Sequence, residues 1–212
     1  MKFTKLKLLP LALSLFALSS CNTGKPAMTI KVMSYNIQHG IDHKKAVEEK
    51  KTVVNLDPVV DIVKRYDPDV LNINEIYNSS ERAEINAQVR YLGEKLGYNF
   101  YFVHAADVPS MGNGTYGGAL LSKFPIVEYS THPIPNPKGF SPRDLETRAI
   151  GQIAVKLPND HILQVLQSHF GGISSDPDVR HQERKNAVEV MENGDVYIFG
   201  VGNYDGTNIA DA

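Results

Sequence analysis

The chain has one cysteine, Cys21, in 212 residues, so no intramolecular disulfide staples it. It has little excess charge of either sign. A formal net charge of -2 excludes the global basic footprint that holds long nucleic acid without sequence preference, and leaves room only for a local basic cleft. It lacks a membrane-length apolar run, since Leu8 to Leu18 is well short of the roughly 20 residues a spanning helix needs. Internal repeats, low-complexity tracts and a second domain boundary are also missing. With 42% hydrophobic and 22% charged residues, the composition is neither disordered nor fibrous, and the length suffices for one globular domain with a sizeable core.

What is present begins with a targeting pattern. Lys2, Lys5 and Lys7 precede the apolar run, which ends in the small residues of Leu18-Ser19-Ser20-Cys21. This arrangement resembles the lipobox of bacterial lipoproteins. The resemblance implies a signal segment over 1–21, with lipidated Cys21 as the first mature residue, and a short tether over 22–28. It places the chain at the cell envelope, membrane-anchored and facing the periplasm or the cell surface. The alternatives are an ordinary cleaved signal or a buried N-terminal helix.

From Met28 onward strand and helix patterns alternate. Thr29 to Ile37 reads as a strand, and the charged stretch Asp42 to Lys51 as a loop or the start of an exposed helix. Asp57-Pro58 supplies an N-cap with proline at the first helical position, and Val59, Ile62, Val63 and Tyr66 follow at helical spacing up to Asp67-Pro68. Pro68 to Tyr77 is an apolar strand from which Glu75 emerges as the core is left behind. Ser79 or Ser80 caps a second helix through Ile85, Val89, Leu92 and Leu96, which Gly97 stops. Strands are expected over Tyr98 to His104, Gly117 to Ser122, Ile126 to His132, Arg148 to Leu157 and His161 to His169, then a helix from Asp176-Pro177 to Met191 and a strand from Val196 to Phe199. Interleaving of this kind indicates a layered α/β domain.

Asn36, Glu75 and His169 each follow an apolar strand, and Arg148 begins one. Ligand sites in layered α/β folds gather at one end of the strands, so these residues are candidates for a common site. Taken singly, Asn36 is an ordinary turn residue, Glu75 a solvated strand end, His169 a satisfied loop histidine and Arg148 an ion-pairing surface group.

Five segments in register carry a more specific resemblance. Met33-Ser34-Tyr35-Asn36-Ile37, Asp69 to Ile76, Tyr116 to Ile126, Glu146-Thr147-Arg148-Ala149 and Gln167-Ser168-His169-Phe170 follow one another as the motifs of the endonuclease/exonuclease/phosphatase family do. The resemblance runs from about Thr29 to Asn203, and residues 29–212 are assigned to this domain. It implies a four-layer αββα sandwich and a metal-assisted attack of water on a phosphate ester. By resemblance, Glu75 holds Mg²⁺ or Mn²⁺ with Asn36 orienting ligands beside it, and His169 contacts the scissile phosphate. Arg148 and Tyr116 reinforce it from the side, and Asn203 orients the phosphate. A hard divalent ion needs only one or two carboxylates plus water and substrate oxygens.

Two departures bear on activity. Where the family reads Gly-Asp-Phe-Asn, this chain reads Gly200-Val201-Gly202-Asn203, with an isopropyl group in place of a carboxylate; Asp205, two residues beyond Asn203, is shifted away from the strand end. The family's later Ser-Asp-His motif does not occur before Ala212, so the expectation is a domain whose second sheet lacks its C-terminal part, through truncation or a frameshift near Asp195 to Gly202. The expected function is hydrolysis of a phosphate ester of a nucleic acid, a phospholipid head group or an inositol phosphate, with no obligate protein partner. A catalytically inactive lipoprotein that binds phosphate ligands, and a fragment without function, remain the alternatives.

Overall fold

The computed structural model describes residues 28–79, 87–108, 114–140, 147–170 and 176–193. The signal segment, Cys21, the strand expected over Val196 to Phe199 and Asn203 lie outside them.

Among the described residues, seven strands form two sheets. The first has the order β1-β2-β4-β3, from β1 (Val32–Asn36), β2 (Val70–Ser79), β3 (Asn99–Val108) and β4 (Gly114–Ser122). Strand β1 runs parallel to β2, and the other pairs are antiparallel. The second sheet is an antiparallel meander of β5 (Ile126–Ile134), β6 (Arg148–Lys156) and β7 (Ile162–Ser168).

The helices are α1 (His43–Glu49), α2 (Asp57–Tyr66), α3 (Gln88–Leu96) and α4 (Pro177–Asn193). Helices α2 and α3 cover the first sheet through a cluster that includes Leu56, Val59, Val63, Leu71, Val89 and Leu92. Between the sheets lie Val70, Val103, Leu120, Ile153, Val155 and Val165. On the far side, Ala187, Val190 and Met191 of α4 pack on Ile134, Ile150 and Leu166. Helix, sheet, sheet and helix make the expected four layers, each apolar side chain withdrawn from water contributing about 1.5–3 kcal/mol.

Several expectations are corrected. Asp57 is the first residue of α2 and not its cap; Leu56 holds the cap position without a side-chain bond, and the Asp57 carboxylate instead accepts from the Tyr91 hydroxyl. The buried stripe of α2 is Leu56, Val59, Val60 and Val63, while Tyr66 is exposed. Counting the helical period from Val59 rather than from Leu56 put Tyr66 on the wrong face. Helix α3 begins at Gln88 with Ala87 at its cap position, and Ser79 ends β2, while Ser80 and Ile85 lie outside the described residues. The exposed-helix reading of Asp42 to Lys51 holds as α1, where the Asp42 carboxylate accepts from Lys45 N.

Strand β2 positions everything that follows. Leu71 and Ile73 face the helices, while Val70, Asn72 and Asn74 have the opposite parity, toward the second sheet. The pairing with β4 slips between Asn74 and Ile76, and Glu75 stands at that slip with φ +58°. Glu75 therefore lies in a bulge inside the strand and not at its end. The extra residue restores Ile76 to the helix-facing cluster and turns the carboxylate out of the pleat.

Candidate functional site

Parallel pairing of β1 with β2 sets Asn36 opposite Asn74, so the side chains of Asn36 and Glu75 emerge together. Asn36 Nδ2 donates to Glu75 Oε1 at 2.8 Å, and Asn36 Oδ1 accepts from Gln38 N at 3.0 Å. Both ends of this amide are thus engaged, and one of them holds the carboxylate. In the second sheet β6 begins with Arg148 and antiparallel β7 ends just before His169, which brings these two to the same end of the sandwich. Arg148 Nη1 lies 3.2 Å from His169 Nδ1 and donates to Tyr116 Oη at 3.5 Å.

Glu75 is where the sheets meet. Its Oε1 lies 3.9 Å from His169 Nε2, so Asn36, Glu75, Tyr116 and Arg148 from four strands and His169 just beyond β7 form one continuous constellation. Glu75 and His169 side chains are about a fifth exposed, open enough to meet a ligand, whereas Arg148 and Tyr116 are buried behind them. Asn203 and Cys21 lie outside the described residues.

The protonation of His169 follows from its neighbour. Arginine has donors only, so His169 Nδ1 must be the acceptor and the neutral ring carries its proton on Nε2, toward Glu75. Burial, followed by the Arg148 charge, holds the imidazole below the usual histidine range; the Glu75 carboxylate opposes them. The site thus offers a neutral imidazole N–H, a fixed guanidinium and an anchored carboxylate.

Five residues around the site, Asn74, Gln167, Gly118, His39 and Gln88, were not singled out from the sequence. Gln167 Nε2, from β7, donates to Asn74 Oδ1 of β2 at 2.7 Å, both residues being fully buried between the sheets. Asn74 precedes Glu75 and Gln167 is two residues before His169, so this bond ties the two halves of the site. Gly118 makes space for it: a Cβ there would come within 2.3 Å of Gln167 Nε2. His39 lies beside Glu75, with Nε2 4.0 Å from Oε2 and its ring against Tyr77 and Tyr116. Buried Gln88 donates to the His39 carbonyl. The available signal was polar residues at core-facing parity in apolar strands, and a histidine-glycine pair just after Asn36.

The donor set can be tested against a metal. Among the described residues no three His, Cys, Asp or Glu side chains are grouped to hold an ion, which does not fit a closed, all-protein site. A single, partly exposed carboxylate braced by an amide fits a hard cation that retains several waters and takes its other oxygens from substrate.

Comparison with known proteins accords with this geometry. The sequence model of the endonuclease/exonuclease/phosphatase family matches residues 33–195. No curated protein matches significantly. Among solved structures, an endonuclease/exonuclease/phosphatase protein of Beutenbergia cavernae superposes with a TM-score of 0.66 at 20% identity, covering 82% of this chain and 46% of its own. A mannosyl-6-phosphatase of Bacteroides thetaiotaomicron gives 0.54 at 18% identity, covering 78% of this chain and 58% of its own. The human Nocturnin catalytic domain, solved with a bound sulfate anion, gives 0.53 at 17%, with 77% and 58% covered. The chain spans about half the length of the solved structures it resembles.

Proposed function

Because the chain belongs to the endonuclease/exonuclease/phosphatase family, whose members generally depend on a divalent metal, we propose that it binds a phosphate ester at this constellation and hydrolyses it. The observation that carries the reading is the meeting of Asn36, Glu75, Tyr116, Arg148 and His169 at one end of both sheets. Glu75 would hold Mg²⁺ or Mn²⁺, which when bound polarises a phosphoryl oxygen and offsets the charge developing on it. Asn36 keeps the carboxylate aimed. The His169 Nε2–H donates to a non-bridging phosphate oxygen, and Arg148, unable to lose its proton, opposes the charge gained in the transition state. Tyr116 fixes Arg148 from behind.

The neutral imidazole suits a hydrogen-bond donor. It is less suited to carrying permanent charge, since burial and Arg148 both disfavour the protonated ring. The substrate class extends to nucleic acid, phospholipid head groups and inositol phosphates, and the small net charge speaks against long DNA. One sequence feature favours a second reading, a phosphate-binding protein without turnover: Val201 stands where the family has a metal-side carboxylate.

Magnesium-dependent hydrolysis of a simple aryl phosphodiester separates the two. The enzymatic reading expects turnover that Glu75→Ala lowers at least 100-fold; activity that survives the substitution removes Glu75 from the metal role. Lipidation of Cys21 at the cell envelope belongs to the same proposal and rests on the lysine-rich start, the apolar run and Leu18-Ser19-Ser20-Cys21. Intact-mass analysis of membrane-fraction protein is expected to show added acyl chains that Cys21→Ser abolishes. An unmodified cysteine contradicts it.

A further inference from the structure

We propose that His39 is a further phosphate-binding residue of this site, its Nε2 donating to a ligand oxygen on the side of Glu75 Oε2 while His169 serves the side of Oε1. This rests on the phosphate-ester reading above and extends it to a residue outside all five motif segments.

The backbone is the first observation. Gln38, His39 and Gly40 have φ values of 46°, 60° and 70°, three left-handed residues in succession. Side-chain-bearing residues avoid that region, and it persists where surrounding structure over-determines it. Gly40 permits the turn, since a Cβ there would meet Leu56 Cδ2 at 2.4 Å.

The second observation is the clamp. Gln88, fully buried at the start of α3, uses both ends of its amide: Nε2 donates to the His39 carbonyl at 2.8 Å, and Oε1 accepts from Tyr77 N at 3.0 Å. A buried polar side chain is retained only when bonded, so the helix, β2 and the His39 turn are held as one unit. The third observation is the ring's setting. Tyr77 and Tyr116 lean on it with centroids 4.6 and 5.5 Å away, and about a quarter of the side chain remains exposed.

Backbone, clamp and aromatic wall all fix one imidazole next to the carboxylate. The gaps of 4.0 Å from His39 Nε2 to Oε2 and 3.9 Å from His169 Nε2 to Oε1 are too long for direct hydrogen bonds. Separations of this size admit a bridging water, which a ligand oxygen can replace as the acceptor at each Nε2. A tetrahedral phosphate, with oxygens pointing in several directions, can engage donors on both flanks; a planar carboxylate ligand engages one flank less well.

The test titrates inorganic phosphate into the full chain with Mg²⁺ present, by calorimetry, for wild type, His39→Phe, His39→Gln and Arg148→Met, with thermal unfolding of each. His39→Phe keeps the aromatic wall and loses the donor; it is expected to weaken phosphate binding about 10- to 100-fold, the loss of a hydrogen bond to a charged group, while melting within about 2 °C of wild type. His39→Gln, which keeps a donor, recovers part of that loss. Phosphate binding by His39→Phe equal to wild type overturns the inference, as does weakening matched by His39→Gln and by a large fall in melting temperature, which makes His39 purely structural. If wild type and Arg148→Met bind phosphate equally weakly, the phosphate-ester reading itself fails, and His39 falls with it.

Discussion

At the scale of single residues, the site is governed by Arg148. Its guanidinium is buried and faces His169 Nδ1 at 3.2 Å. Burial first, and then this neighbouring charge, lower the pKa of His169. The folded-state pKa of His169 lies below its unfolded value of about 6.5, so its contribution to stability is fully present above about pH 6.5 and lost as pH falls through the folded value. NMR titration of the ring in metal-free protein is expected to give a midpoint below 6.5 that moves upward in Arg148→Met; an unmoved midpoint removes Arg148 as a cause. At this scale the sequence was informative wherever a motif named the residue: Asn36, Glu75, Tyr116, Arg148 and His169 do converge. It was silent on His39, because a histidine in a left-handed turn has no periodicity to reveal it, and the turn is held by Gln88 from 49 residues away.

At the scale of elements, the bulge in β2 and the bond across the sheets decide where the groups of the candidate site stand. Parity along β2 was readable from its alternation, but a single inserted residue flips everything beyond it, and only pairing with β4 shows where the slip falls. The Gln167 to Asn74 bond joins strands 93 residues apart, beyond the reach of any local pattern. Gln167→Leu strands the buried Asn74 Oδ1, and is expected to destabilise the fold by about 1–3 kcal/mol. It is also expected to lower Mg²⁺-dependent phosphate binding, because Glu75 and His169 lose their common reference. A double-mutant cycle of Asn74→Ala and Gln167→Leu, read by urea unfolding, is expected to show coupling of about 1 kcal/mol or more. Additive losses contradict a direct tie. Helix boundaries were less legible than helix existence: the stripe of α2 begins at Leu56, a residue that composition alone places in the preceding loop.

At the scale of the whole molecule, four layers were expected and four are present, because each apolar surface required a partner and the order of strands and helices admits few stackings. Close approach of the sheets depends on small residues: a Cβ on Gly151 would lie 2.1 Å from Val103 Cγ2. That approach is what allows one carboxylate from the first sheet to face an imidazole and a guanidinium from the second. On the proposed function, the two sheets jointly form a metal and phosphate site around Glu75. The direct measurement is a crystal structure of the full chain with Mn²⁺ and tungstate, located by anomalous scattering. The account predicts manganese on the Glu75 carboxylate and tungstate within hydrogen-bond reach of His169 Nε2. Manganese bound away from Glu75, or tungstate on a different face of the sandwich, would contradict it.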